Sequence, residues 1–212
     1  MSSHRLTDLG TNRPVPALIA LAEELRALTE QIVRIPDLPS ETEAAVGELG
    51  GEIRALTRRL EALAPADRVP RMGAEPVGQR PYYASGVILG DHHPLRPDLT
   101  IETEGDVTRG TVRFGVTFEG PPGCVHGGFV AHFFDQVLGE HNLRQRIPAM
   151  TGTLSVRYYS AAPLMTELRF EVRHEADGDR KVRTSGFLAA GDEVYCEGEG
   201  IFVIPKGTDW KL

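Results

Sequence analysis

The stretch EGPPGCVHGGFVAHFFDQVLG, from Glu119 to Gly139, decides how this chain is read. Gly120, Pro121, Pro122 and Gly123 punctuate a turn at its start. After Gly127 the apolar residues fall at helical spacing. Phe129, Phe133 and Val137 form one row, and Val130, Phe134 and Leu138 form the next. Two adjacent apolar rows make a stripe too wide for a surface helix. The spacing therefore predicts a helix over about 127–143 that other structure wraps on most sides.

The flanks supply the wrapping. Upstream, residues 99–104 and 107–118 read as strands joined by Gly105-Asp106, a hairpin-type turn. Downstream, Leu154, Val156 and Tyr158 alternate with Ser155, Arg157 and Tyr159. Leu168, Phe170 and Val172 alternate with Arg169, Glu171 and Arg173. Such alternation marks strands with one wet face. Asp177-Gly178-Asp179 is a turn, and strands 181–190 and 193–204 meet at Gly191-Asp192. Two strands, one buried helix and three or four further antiparallel strands define an α+β domain, a curved antiparallel sheet around a central helix.

Toward the N-terminus the composition changes. Leu18, Leu21, Leu25, Leu28 and Ile32 step by three and four, as do Val46, Leu49, Ile53, Leu56, Leu60 and Leu63. Ser40 is placed to cap the second run, with Glu43 at the reciprocal position of a capping box. Gly47, Gly50 and Gly51 weaken its middle. Two such helices joined by a short turn predict an antiparallel hairpin, serving as a packing appendage, an oligomerisation element or a lid. We divide the chain into a helical extension over 1–75 and a main domain over 76–212. Residues 64–98 read as a linker and domain entry, with the adjacent His92 and His93 in a loop rather than a metal site.

With 212 residues, 41 % hydrophobic and 25 % charged, the chain has the composition of a globular protein. A net charge of −7 argues against a nucleic-acid partner, because phosphate binding needs a basic surface. No apolar run approaches the ~20 residues of a membrane helix. The first residues contain no apolar signal segment. Two cysteines, Cys124 and Cys196, cannot build a disulfide framework, which makes the reducing cytoplasm the expected compartment. Phosphate-binding, dinucleotide-binding and nucleophile-elbow motifs are absent, as are metalloprotease and paired-cysteine motifs.

The chemistry converges on the quoted stretch. A Gly-rich turn opens directly into a helix, whose first N–H groups lack intrahelical partners and favour a developing negative charge. His126 sits beside them. Asp135 is a carboxylate among Phe133, Phe134, Val137 and Leu138, a setting that suits either a general base or a structural hydrogen bond. Gly127 and Asp135 are roughly 12 Å apart along one helix, too far to reach the same carbonyl. Two antiparallel copies of the helix about a two-fold axis would bring the glycine end of one to the aspartate of the other.

VHGGFVAHFFD, followed by MTGTLSVRYYSAAP, resembles the hotdog-fold acyl-CoA thioesterases of the phenylacetate-pathway (PaaI) type, in particular the thioesterase superfamily members. The resemblance covers about residues 85–204. It implies a hotdog fold and an acyl group carried by coenzyme A or by an acyl-carrier protein. It also implies a homodimer or homotetramer with shared sites, and no cofactor beyond the coenzyme A of the substrate. By the same resemblance Asp135 is the catalytic carboxylate and the Gly127 N–H polarises the thioester carbonyl. His126 supports that oxygen or the leaving thiolate, Thr151 positions water, and Gly128, Arg180 and Lys181 contact substrate. Some relatives carry Asn or Gln before the His-Gly-Gly run, and residues 119–125 here contain neither. His132 and Phe133 are bulky for this helix and would narrow an acyl tunnel.

Four other readings stay open on sequence alone. A hotdog protein can bind an acyl or aromatic ligand without cleaving it. Asp135 followed by His141 has the residue order of hotdog dehydratases. Cys124 near His126 suggests a thiol nucleophile, and His132 with Asp135 a metal, yet nothing nearby would orient the first pair or complete the second site.

Overall fold

The structure is a computed structural model that describes residues 16–35, 37, 39–63, 89–91 and 93–206. The Pro/Gly-rich segment through residue 88 and His92 lie outside the described residues. Helix α1 spans Pro16–Val33 and α2 Ser40–Glu61. Strands β1 (Asp98–Glu104) and β2 (Val107–Arg113) precede α3 (Gly127–Arg144). Strands β3 (Met150–Tyr158), β4 (Glu167–Ala176), β5 (Lys181–Ala190) and β6 (Glu193–Val203) follow it. All six strands form one antiparallel sheet in the order β1-β2-β4-β5-β6-β3. The α+β architecture expected from the sequence, a curved sheet around a central helix behind N-terminal helices, is the one observed.

The three turns form where the glycines stand. Gly105, Gly178 and Gly191 all have positive φ, a conformation that costs a residue without Cβ little. They bring Glu104 opposite Val107, Ala176 opposite Val182 and Ala190 opposite Glu193. One expected strand is shorter than its sequence suggested. The run 107–118 stops pairing at Arg113, and Val116–Phe118 form a single 3-10 turn. That turn seats Phe118 edge-to-face against both Phe114 and Phe129, so aromatic packing outcompetes continuation of the strand.

The core is the contact between α3 and the concave face of the sheet. Val130, Phe133, Phe134, Val137 and Leu138 are all buried, as both apolar rows require. They meet Val112, Phe114, Leu168, Phe170, Leu188 and Phe202. Each such side chain contributes about 1.5–3 kcal/mol on burial. The closest approach is at β6. A Cβ at Gly198 would collide with the ring of Phe134, and one at Gly200 would press on the ring of Phe202. Bare backbone at these two positions lets large rings lie directly on the strand.

The N-terminal helices are described separately. Residues 14–30 belong to the same compact unit as the sheet domain, whereas α2 falls in a second unit. Within the first unit, Ala22 is buried and Arg26 Nη1 donates to the His93 carbonyl oxygen at 3.0 Å. Leu21 and Leu25 are half-buried, while Leu18, Leu28 and Ile32 of the expected stripe are exposed. In α2 no side chain is buried. The expected capping box is not formed. Pro39 is the N-cap residue, Ser40 is already helical, and the Thr42 hydroxyl donates to the Pro39 carbonyl at 2.7 Å. Proline is compatible with a helix start because no intrahelical acceptor is available to an N–H there.

Gly198→Ala forces the Phe134 ring out of its place and should destabilise the protein by about 1–3 kcal/mol. Urea unfolding measures this. An unchanged midpoint would show that the ring and strand are not in tight contact.

Candidate functional site

The turn before α3 is held from several sides. The Gly120 N–H donates to Cys124 O at 2.9 Å, and Glu119 Oε1 accepts from the Gly123 N–H at 2.7 Å. Gly123 takes a positive φ at the corner. Cys124 bridges to Pro163, which ties the turn to the segment after β3. The chain then enters the helix at His126, in extended conformation, as the N-cap residue.

His126 accepts from two of the four orphan donors of α3, and its own N–H goes to the Phe118 carbonyl oxygen. Its Nδ1 accepts from the Gly128 N–H at 3.0 Å. Its carbonyl oxygen accepts from Phe129 N at 2.9 Å and Val130 N at 3.2 Å. Among the described residues the Gly127 N–H alone has no acceptor in this first turn. Because Nδ1 is an acceptor, the neutral His126 ring carries its proton on Nε2, on the exposed side of the ring. The helix entrance therefore presents one free peptide N–H beside one imidazole N–H donor. Gly128, expected at the substrate, has its N–H engaged by His126, and a Cβ at Gly128 would stand 3.0 Å from His126 Nδ1.

Two turns further along α3 lies Asp135. It is half-buried rather than enclosed in the apolar core. Its Oδ1 accepts a hydrogen bond from Thr151 Oγ1 at 2.8 Å. Thr151 stands on β3, the last strand of the sheet, whose outer edge has no partner strand among the described residues. Thr151 itself is exposed, as is Met150 beside it. The structure thus brings Asp135 and Thr151 together, and His126 and Gly127 together. The two pairs remain separated along α3.

One residue the sequence reading passed over joins the entrance. The Tyr158 hydroxyl donates to the Gly127 carbonyl oxygen at 2.7 Å and braces the first peptide of the helix. Its phenol is held above the ordinary tyrosine range, by partial burial first and by Cys196 second, so it stays a donor at neutral pH. Strand alternation was the available signal, since it places Tyr158 on the face of Leu154 and Val156.

Arg180 and Lys181 occupy a different place. Arg180 Nε and Nη2 both donate to the Ile204 carbonyl oxygen, at 3.2 and 2.8 Å, and clamp the end of β6. Lys181 is exposed at the start of β5, opposite Val203. A cavity of about 530 Å3 lies elsewhere, between α1 and residues 94–98 and 113–118. Its walls include Arg26, Glu30, Arg113 and Phe118 and none of the residues the sequence singled out.

His141 is excluded from any substrate role by its partners. The residue is fully buried. Its Nδ1 shares a 2.8 Å hydrogen bond with Thr108 Oγ1, and its Nε2 a 2.8 Å bond with His174 Nδ1. Thr103 Oγ1 extends the chain from Thr108 at 2.8 Å. Both ring nitrogens are occupied, so the order Asp135 then His141 does not describe one shared acid–base site. Next to it, the buried Asn142 Oδ1 accepts from Thr184 Oγ1 at 2.8 Å, while Asn142 Nδ2 has no partner among the described residues. Among the described residues no group of three or more His, Cys, Asp or Glu side chains is arranged to hold a metal ion.

Comparison with known proteins agrees with this architecture. No protein-family model matches the chain, and no curated protein sequence matches it. A crystal structure described as a thioesterase superfamily protein is 29 % identical, with a TM-score of 0.74. The alignment covers 90 % of this chain and 96 % of that one. Zebrafish thioesterase superfamily member 2 is 14 % identical over 52 % of this chain and 83 % of its own, with a TM-score of 0.48. A hypothetical thioesterase of Streptococcus pneumoniae, solved with coenzyme A, is 16 % identical over 50 % and 88 %, with a TM-score of 0.46. The chain shares the hotdog fold of the first of these thioesterase-superfamily structures, as its resemblance in the His-Gly-Gly and Asp pattern led us to expect.

Burial first, and the neighbouring His174 second, depress the His141 pKa from 6.5 to about 4. The folded state then binds fewer protons than the unfolded chain between these values. His141 contributes its full stabilisation above pH 6.5 and loses it as pH falls toward 4, about 3 kcal/mol in all. Urea midpoints measured from pH 7 to pH 4.5 should fall in the wild type, and the slope should flatten in His141→Gln. Equal slopes for both proteins would remove His141 as the origin.

Proposed function

We propose that this protein hydrolyses an acyl thioester, carried by coenzyme A or an acyl-carrier protein, to the free acid and the thiol. The observation that carries the reading is the division of labour along α3. One end offers, at Gly127, the one N–H of the helix entrance without an acceptor among the described residues, beside the His126 Nε2–H. Two turns on, in the middle of the helix, Asp135 holds a carboxylate oriented by Thr151.

The two halves are complementary chemically. The Gly127 N–H, at the positive end of a helix, stabilises the oxyanion that forms when the thioester carbonyl is attacked. Asp135 takes a proton from water as the water oxygen bonds to that carbon, with Thr151 keeping the carboxylate aimed. The tetrahedral intermediate collapses, the C–S bond breaks, and the thiolate leaves with the electron pair and is then protonated. The His126 Nε2–H is suited to support the carbonyl oxygen or the departing sulfur. Tyr158 positions this machinery by bracing the Gly127 peptide. Water and the thioester are the only reactants the scheme uses.

Because about 12 Å of helix separates Gly127 from Asp135, one chain cannot supply both to the same carbonyl. We place each site between two antiparallel α3 helices, with Gly127 from one subunit facing Asp135 of the other. The free outer edge of β3, which carries Thr151, supports a two-fold pairing there. A homodimer is the smallest assembly this allows. Gly128, Arg180 and Lys181 keep lesser parts in the proposal, since Gly128 N–H and the Arg180 guanidinium already have acceptors within the chain. Among the described residues no helix is long and apolar enough to cross a membrane.

A second reading, ligand binding without hydrolysis, draws on the loop 119–125. Glu119 turns its carboxylate back onto Gly123, and the loop supplies no amide side chain to the site. Thiol release from short, long and aromatic acyl-CoAs separates the two. We expect turnover in the wild type and at least about a hundredfold loss in Asp135→Asn with the oligomer intact. Full activity in Asp135→Asn would sink the assignment of the base. Binding with no turnover across acyl-CoA and acyl-carrier substrates would favour the second reading.

A further inference from the structure

Helix α2 presents an apolar stripe that is exposed among the described residues. Val46, Leu49, Ile53, Leu56 and Leu60 are all exposed, Leu49 at 55 % and Leu56 at 51 %. With Leu63 they follow spacings of three and four in strict alternation, the seam of a coiled coil. The helix also carries three interior glycines, at 47, 50 and 51, and buries no side chain of its own. A helix of such sequence needs a packing partner, because propensity alone does not sustain it.

The charges say what the partner is. From Ser40 to Glu52 the charged residues are Glu41, Glu43, Glu48 and Glu52, and from there to Leu60 they are Arg54, Arg58 and Arg59. The helix is acidic in its first half and basic in its second. A copy of itself laid antiparallel therefore meets it with opposite charge at both ends. The stripe also reads the same in both directions. Val46 then lies level with Leu63 of the second copy, Leu49 with Leu60, and Ile53 with Leu56. In that register Glu52 and Arg59, which flank the seam, face one another twice across the two-fold axis. A parallel pairing would set Glu52 beside Thr57 and forgo both ion pairs.

We propose that a second copy of this chain covers the stripe, with the two α2 helices paired antiparallel. The interface is distinct from any pairing at the β3 edge and is independent of the chemistry assigned to α3.

The test is site-directed cross-linking of the full chain in a Leu49→Cys/Leu60→Cys variant, with Cys124→Ser to remove the half-buried native thiol. Within one helix the two positions stand about 16 Å apart, beyond a disulfide or a short bismaleimide. We expect an interchain link between positions 49 and 60, identified by peptide mapping. Adding Glu52→Arg should lower its yield about fivefold, and Glu52→Arg with Arg59→Glu should restore it. No interchain link, or links only of 49 to 49 and 60 to 60, overturns the proposal. So does a yield that Glu52→Arg leaves unchanged. None of the cross-linking or charge-reversal positions on α2 is buried, so folding does not confound the outcome.

Discussion

Phe134 rests on bare backbone at Gly198, and most of this protein follows from that contact. The ring fixes the distance between α3 and β6. That distance sets how far the sheet must bend to keep Phe170, Leu188 and Phe202 against the helix. A close-packed interior tolerates little error of this kind, because a gap or a clash at one ring propagates to its neighbours. The functional groups inherit the same rigidity. Asp135 follows Phe134 in the chain, and its position is that of a helix that cannot rotate.

The helix entrance shows how one side chain decides what an N-terminus offers. Four N–H groups begin any helix without intrahelical partners. Here the His126 N–H goes to the Phe118 carbonyl oxygen, the His126 ring takes the Gly128 N–H and its carbonyl oxygen the Phe129 N–H, which leaves the Gly127 N–H. A histidine cap therefore selects a single donor. It also fixes its own tautomer, so the remaining ring proton points away from the helix. Glycine at 127 keeps the donor accessible, since the nearest atoms to a Cβ there belong to the Tyr158 phenol at 3.5 Å.

The polar chain of Thr103, Thr108, His141 and His174, buried at its centre and half-buried at its two ends, has a different character. It links β1, β2, α3 and β4 through hydrogen bonds of 2.8 Å. Within a low-dielectric interior such a chain is costly unless every member is paired, and it then specifies one arrangement of the elements it joins. Its histidines belong to the architecture, whereas His126, exposed at the turn, belongs to the site we propose.

Much of this was legible in the residues. The two apolar rows after Gly127 defined the buried helix, because 3.6-residue periodicity needs no tertiary information. Gly105, Gly178 and Gly191 marked turns for the same local reason, their freedom at positive φ. The motif that joins His126, Gly127 and Asp135 pointed to thioester chemistry only through its resemblance to the hotdog thioesterases. What the residues left undecided are matters of distance and partner. The break of β2 at Arg113, the donation of Thr151 to Asp135, the bracing of Gly127 by Tyr158 and the pairing of His141 with His174 each join positions far apart in the chain or rest on packing between them. Periodicity reports which face of an element is apolar. Only the folded chain decides which groups on those faces come within 3 Å of one another.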